Sequence, residues 1–189
     1  MLPARPTSWK GHVILLQALA RLKHLDIACV LLGAGDTNSG YSEMLEKKSV
    51  ELGLGAHVRI ATSTRDMPAA LMLADVVAMP SIRPEPFGRV AIEAHAMGRP
   101  VVAFDHGGAR ETISAGKTGW LAAPNDVDSL AQALETALSL SQSDRDKLST
   151  LAQSAVKRRF SIKKMTTSTL AVYKNLLLKK GFSPLVLGK

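Results

Sequence analysis

Two glutamates separated by seven residues, Glu85 and Glu93, enclose the stretch Pro86-Phe87-Gly88-Arg89. Ionised carboxylates only accept hydrogen bonds, so a pair of them suits a polyhydroxylated ligand. Gly88 lets backbone approach a ligand closely, and a helix starting beside it turns the N–H groups of Phe87, Gly88 and Arg89 outward. Such a helix terminus favours an anion, phosphate above all. Glu93 then lies about 7 Å further along the axis. Arg5 and Lys10-Gly11 precede the first helix and can bring two positive charges to a phosphate. Gly107-Gly108 reads as another flexible turn at the same edge. Together these residues describe an anion pocket flanked by carboxylates. Spacing alone leaves a second reading open, since glutamates in the first turns of a helix also favour its dipole.

Other chemistry is poorly served. His12 and His95 have no partner histidine and read as surface or packed residues, and no metal-ligand spacing is present. Cys29, the only cysteine, lies in the apolar run Ile27-Ala28-Cys29-Val30-Leu31-Leu32 and reads as a buried thiol. It excludes an internal disulfide and suits a reducing compartment. Gly33-Ala34-Gly35 lacks the third glycine of a dinucleotide fingerprint. Ser81 has no nucleophile-elbow context. Trp120 reads as core.

The elements that must carry these residues alternate. Helices are expected at about 11–23, 41–52, 66–73, 89–97 and 126–138, with a short one from Gly108 to about Ala115. Strands are expected at 26–32, 57–61, 75–79, 101–104 and 118–122, with residues 33–40 as a loop by composition. Pro124-Asn125-Asp126 offers caps for the helix that follows. Apolar strands alternating with helices predict an α/β fold, a doubly wound parallel sheet with helices on both faces. In such a sheet ligands bind beyond the carboxyl ends of the strands, where Glu85 and Gly107 fall. Residues 1–142 are expected to form this domain. Residues 143–189 are expected to form a basic helical segment, with helices at about 143–159 and 161–179.

The net charge of +8 over 189 residues is uneven. Ten of the 24 basic residues, Lys189 the last of them, follow Asp146, the final acidic residue. The residues up to Asp146 hold 14 basic against 16 acidic groups. A solvated face is the default reading of the tail, with contact to an anionic membrane second. Nucleic acid is disfavoured by the scarcity of aromatics. No run approaches the length of a membrane span, and no signal peptide is evident. A cytoplasmic protein is expected, with peripheral contact to the inner membrane face as the tail's further reading.

Taken in order, the motifs resemble one family. They are Arg5-x4-Lys10-Gly11, Leu32-Gly33-Ala34-Gly35, Ala74-Asp75-Val76-Val77-Ala78-Met79-Pro80-Ser81, Glu85-x7-Glu93, His95-Ala96-Met97-Gly98-Arg99-Pro100, Gly107-Gly108-Ala109-Arg110-Glu111 and Thr118-Gly119-Trp120-Leu121. From Arg5 to about Leu134 the chain resembles the C-terminal, Rossmann-like donor-binding domain of family 4 retaining glycosyltransferases of GT-B architecture. The resemblance implies a nucleotide-sugar donor of UDP or GDP type, a glycan or lipid-linked acceptor, and no metal or other cofactor. It implies that Glu93 binds the ribose, that Arg5 and Lys10 hold the diphosphate with the amides near Gly88 and Arg89, and that Glu85 faces the transferred sugar beside Phe87 and Gly88. Arg59 and Ile60 would line the base. Surface-polysaccharide, lipopolysaccharide or glycolipid synthesis is the setting implied. Thr62 or Thr64 stands where the family often has glycine, and His95 replaces a commoner apolar residue. The N-terminal acceptor domain is absent from this sequence, and residues 1–4 cover only a remnant of the domain's first, central strand, so both neighbours of that strand are expected to be unpaired. A fragment, a shortened reading frame, or one subunit of a split transferase would each fit. In the last case the chain is a non-catalytic nucleotide-sugar binding subunit.

Overall fold

The computed structural model describes residues 1–36 and 40–180. Thr37, Asn38 and Ser39 of the expected loop, and the basic Lys189, lie outside them. The chain divides into two compact units, Met1–Gln153 and Ser154–Lys189. In the first, β1 (Leu2–Pro3), a 3₁₀ turn (Ser8–Lys10), α1 (His12–Arg21), β2 (Cys29–Leu32), α2 (Tyr41–Glu51), β3 (Val58–Ala61), α3 (Met67–Met72) and β4 (Val77–Met79) come in order. They are followed by α4 (Arg89–Ala96), β5 (Val101–Phe104), α5 (Ala109–Thr112), β6 (Gly119–Ala122) and α6 (Val127–Leu138). Helix α7 (Gln142–Arg159) begins in this unit and runs across the division, and α8 (Ile162–Lys179) lies in the second.

All strand pairs are parallel. Two ladders form, β1–β2–β3 and β4–β5–β6. Residue Met1 joins them: its amino group donates to Val76 O at 2.9 Å, and the Ala78 N–H donates to Met1 O at 2.8 Å. Strand β1 therefore sits between β2 and β4. The expectation that the remnant leaves both neighbours unpaired is corrected here. Leu2 and Pro3 stand opposite Leu31 and Leu32, and the Ala4 N–H donates to Leu32 O at 2.9 Å. A few residues suffice to close the sheet at its carboxyl edge, where the loops start. At the other end β2 and β4 begin two to three residues later than the apolar runs predict, because no strand lies beside residues 26–28 and 75–76 to form a ladder.

Each central strand is buried on both faces, as a parallel sheet between helix layers requires. Val102 and Phe104 pack with Leu15, Leu16, Leu130 and Leu134 from α1 and α6. Val101 and Ala103 point the other way, to Leu71, Ala91 and Ala94 from α3 and α4. Burying one such leucine contributes about 2 kcal/mol, so the alternation itself fixes the register. Asp126 caps α6 by accepting from the N–H groups of Asp128 and Ser129, both at 2.9 Å. Asp66 does the same for α3 through the Ala69 N–H. Cys29 is buried, as expected, whereas Trp120 is only partly so and packs on the edge of the larger core.

Candidate functional site

A cleft of about 440 Å³ opens at the carboxyl ends of β1 and β4. Arg5, Lys10, Glu85, Phe87, Gly88, Arg89 and Glu93 line it, together with Met79, Pro86 and Val90. Seven residues that the sequence singles out thus converge from three segments. Arg59 and Ile60 do not join them. The Arg59 guanidinium donates to the carbonyls of Gly55 and Val58, and Ile60 packs against the core.

The first segment is placed by Gly11. Its backbone is left-handed, with φ of 80°, and a Cβ there would stand 1.8 Å from Pro80 O. Only glycine lets the Lys10 turn press so close to the end of β4. The Ile82 N–H donates to Trp9 O at 2.8 Å and ties the same turn to the next loop. The Lys10 ammonium lies 4.1 Å from the centre of the Trp9 ring and forms an ion pair with Glu85.

The second segment is the loop from Ser81 to Gly88. Glu85 accepts from Lys10 and also from Ser81 Oγ at 2.7 Å, and its side chain is only 12% exposed. Gly107-Gly108 is no flexible turn. The Gly108 N–H donates to Glu85 O at 2.7 Å, and a Cβ on Gly108 would lie 2.5 Å from Phe87 O. The two glycines let one loop clamp the backbone of the other, so Glu85 is held rigidly.

The third segment is α4. Its N-cap is Gly88, at φ 78°, and no side chain caps it. The Ala91 N–H closes on Gly88 O at 3.0 Å, which leaves the N–H groups of Arg89 and Val90 ahead of it at the positive end of the dipole, beside the cleft that both residues line. Glu93 sits a little over one turn along and accepts from Arg89 at 2.9 Å. Arg89 is 82% exposed, so this pair contributes little to stability and is open to exchange for a ligand.

The arrangement brings two cations, a helix terminus and two carboxylates together in one cleft. It can hold a diphosphate between hydroxyl-bearing groups. Sequence reasoning missed Ser81 as a partner of Glu85. The available signal was a hydroxyl four residues before a carboxylate across a proline-containing turn. His12 and His95 lie outside the cleft lining. Burial pushes each down to about 4, against weaker opposition from backbone carbonyls, so both are neutral at pH 7. The His95 Nε2 meets Thr118 O at 2.8 Å, and His12 Nδ1 faces the Tyr41 hydroxyl at 3.4 Å.

The family model described as glycosyl transferases group 1 matches residues 3–155. Among curated proteins, the chain is 35% identical over 176 residues to a D-inositol 3-phosphate glycosyltransferase of Corynebacterium urealyticum, covering 88% of this chain and 40% of that one. It is 36% identical over 135 residues to a GDP-mannose-dependent alpha-(1-6)-phosphatidylinositol monomannoside mannosyltransferase of Mycolicibacterium smegmatis, covering 66% of this chain and 34% of the relative. It therefore spans well under half the length of these relatives. Among solved structures, a glycosyltransferase of Rickettsia africae superposes with a TM-score of 0.86 at 34% identity, covering 93% of this chain and 47% of that one. Anabaena Alr3699/HepE, solved with UDP and glucose, gives 0.82 at 30% identity over 92% of this chain and 47% of its own. The isolated C-terminal domain of a Francisella tularensis group 1 protein (LpcC) shares the fold at 24% identity, with a TM-score of 0.70 and 84% of that domain covered. With the parallel sheet and the family match agreeing, the chain belongs to the glycosyl transferases group 1 family and has the fold of a C-terminal domain of GT-B glycosyltransferases.

Proposed function

We propose that the cleft binds a nucleoside diphosphate sugar and that the chain serves transfer of the sugar, with retention, to a glycan or lipid-linked acceptor. The observation that carries this is the convergence of Arg5, Lys10, the α4 N-terminus and Glu93 on one cleft. Arg5, Lys10 and the first-turn amides of α4 hold the diphosphate, and Glu93 exchanges Arg89 for the ribose diol. Glu85, fixed by Lys10 and Ser81, receives the sugar hydroxyls beside Phe87 and Gly88. The base extends toward β3, where Arg59 reaches it by releasing the carbonyls of Gly55 and Val58.

In the transfer step the bond from the anomeric carbon to the diphosphate breaks, and the acceptor oxygen bonds to that carbon on the same face. The acceptor's proton passes to a diphosphate oxygen. Negative charge grows where Arg5, Lys10 and the helix dipole already supply positive charge, so no metal is required by the chemistry. UDP and glucose in the Anabaena relative support the donor class, and the phosphatidylinositol monomannoside named for the Mycolicibacterium relative supports a glycolipid acceptor. The acceptor must be held against the donor, which this half of a cleft does not do. The chain by itself therefore binds donor and transfers little.

Titration with UDP, GDP and ADP and their sugar conjugates, followed by a turnover assay with simple acceptors, tests both parts. Saturable binding of one nucleotide without turnover is expected. No binding by the folded chain overturns the donor assignment, and rapid transfer by the chain alone overturns the division of labour.

The same reading places the protein in the cytoplasm with its tail against the inner membrane face. No described helix is long and apolar enough to cross a membrane. Helix α8 carries Lys163, Lys164, Lys174 and Lys179, and leaves Ile162, Met165, Val172, Tyr173 and Leu176 more than half exposed. Such a helix suits an anionic bilayer surface. Flotation with phosphatidylglycerol vesicles but not with phosphatidylcholine vesicles is expected; equal flotation, or none, removes the membrane contact.

A further inference from the structure

A lysine is a loose way to hold a phosphate. Its ammonium is a point charge on a flexible four-carbon stem. Affinity falls by the fraction of time that such a side chain spends away from the competent position. Lys10 lines the cleft, and Glu85 takes one of its N–H groups. An ion pair to a point charge fixes a distance but little direction, so Glu85 alone lets the ammonium swing.

Trp9 supplies a second contact. Residues Ser8–Lys10 form a 3₁₀ turn, with the Lys10 N–H on Thr7 O at 3.1 Å and the Gly11 N–H on Ser8 O at 3.3 Å. Consecutive side chains on such a turn diverge by about 120°. The Lys10 stem nevertheless curls back, and its ammonium lies 4.1 Å from the centre of the Trp9 ring. The turn that carries both residues is anchored: Trp9 O accepts from the Ile82 N–H, and Gly11 presses on Pro80. The same two ties join it to the loop that carries Glu85. Trp9 is partly buried and does not line the cleft, and the ring face under Lys10 is not open to a sugar. An indole face attracts a cation more strongly than any other aromatic side chain, and more so where water is excluded. The Lys10 side chain is only 18% exposed. Glu85 and the ring occupy two sides of the ammonium, which has three donors, and leave the remaining one for an anion in the cleft.

We propose that Trp9 is a positioning residue for the donor diphosphate. Its indole seats the Lys10 ammonium between ring and Glu85, so that the charge is in place before the ligand arrives. The proposal rests on the donor reading given above and adds to it a residue that touches no ligand.

The test follows the chain by NMR during titration with UDP, uridine, GDP and guanosine. Wild type, Trp9→Leu, Trp9→Phe, Lys10→Met and Trp9→Leu/Lys10→Met are compared. Trp9→Leu is expected to weaken the diphosphate that the wild type binds by about three- to tenfold and to leave its nucleoside unchanged. Trp9→Phe keeps a ring face and should recover most of that loss. Without Lys10, Trp9→Leu should cost nothing further. In the ligand-free wild type the Lys10 ε-methylene protons should be shifted upfield by the ring, and Trp9→Leu should return them to the ordinary lysine position. Equal weakening of nucleoside and diphosphate, no recovery in Trp9→Phe, the same loss without Lys10, or an unshifted Lys10 methylene would each overturn the proposal. A wild type with the shifted methylene that binds neither diphosphate overturns the donor reading, and the role of Trp9 in binding falls with it.

Discussion

Replacing Lys10 with methionine separates what this residue does for the fold from what it does for a ligand. Its ammonium pairs with Glu85, and the two side chains are only 18% and 12% exposed. At contact distance and an effective dielectric of about 20, the gross attraction is about 4 kcal/mol. Desolvation of both groups offsets part of it. Removing Lys10 leaves the largely buried Glu85 with Ser81 as its neutral donor. The expected loss is about 2 to 3 kcal/mol, or roughly 5 to 10 °C in Tm. Lys10→Met/Glu85→Gln removes the stranded charge and should recover at least half of that stability. Binding should behave differently. On the proposed function Lys10 would also supply a charge-assisted contact to the diphosphate, worth roughly 10- to 100-fold in affinity. That loss should persist in the double variant. Urea unfolding at pH 7 and calorimetric titration with the preferred nucleoside diphosphate measure the two quantities. The reasoning is refuted if Lys10→Met leaves stability unchanged, or if Glu85→Gln restores binding along with stability.

Gly11→Ala should cost at least about 3 kcal/mol, because a left-handed backbone is joined to a clash with Pro80 O. Gly116→Ala, with similar φ but open space around it, should cost only about 1 to 2 kcal/mol; equal losses in urea titrations would discredit the packing argument. His95 has a folded pKa of about 4, below its unfolded value near 6.5. The unfolded chain thus binds more protons between those values, and stability is full above pH 6.5 and falls as pH drops toward 4. Between pH 7 and pH 5 the His95 share of that fall is about 2 kcal/mol. Unfolding of His95→Gln at both pH values should show a correspondingly shallower slope, and identical slopes would contradict it. Asp126→Ala should cost about 1 kcal/mol through loss of the α6 cap; an unchanged urea midpoint would show the cap to be idle.

What the sequence made legible was local or periodic. Asp126 is read as a cap from its place before an amphipathic run. The alternation of Val101, Val102, Ala103 and Phe104 into two core layers follows from one buried apolar stretch. The anion pocket was legible because Gly88, Arg89 and Glu93 share one helix start, so their geometry is set by helix pitch. Contacts between distant residues were hidden. Lys10 and Glu85 are 75 residues apart, and spacing offers no hint that they pair. Gly107-Gly108 looks like a flexible turn in sequence. Its glycines are needed because another loop's backbone lies where side chains would be, which is a tertiary fact. The late starts of β2 and β4 were unreadable for a related reason: a run of apolar residues declares its burial, but a ladder needs a neighbour. Arg59 stays outside the cleft because nearby carbonyls of its own segment capture the guanidinium.

The central claim is that Glu93 grips the ribose of a nucleotide whose diphosphate rests on Arg5, Lys10 and the start of α4. The most direct test is a binding cycle. The wild-type chain and Glu93→Ala are each titrated with the preferred nucleoside diphosphate and with its 2′,3′-dideoxy form. The account expects Glu93→Ala to weaken the natural nucleotide by about tenfold or more and the dideoxy nucleotide hardly at all, since the diol and the carboxylate are one interaction. Equal weakening of both ligands, or none of either, would contradict it.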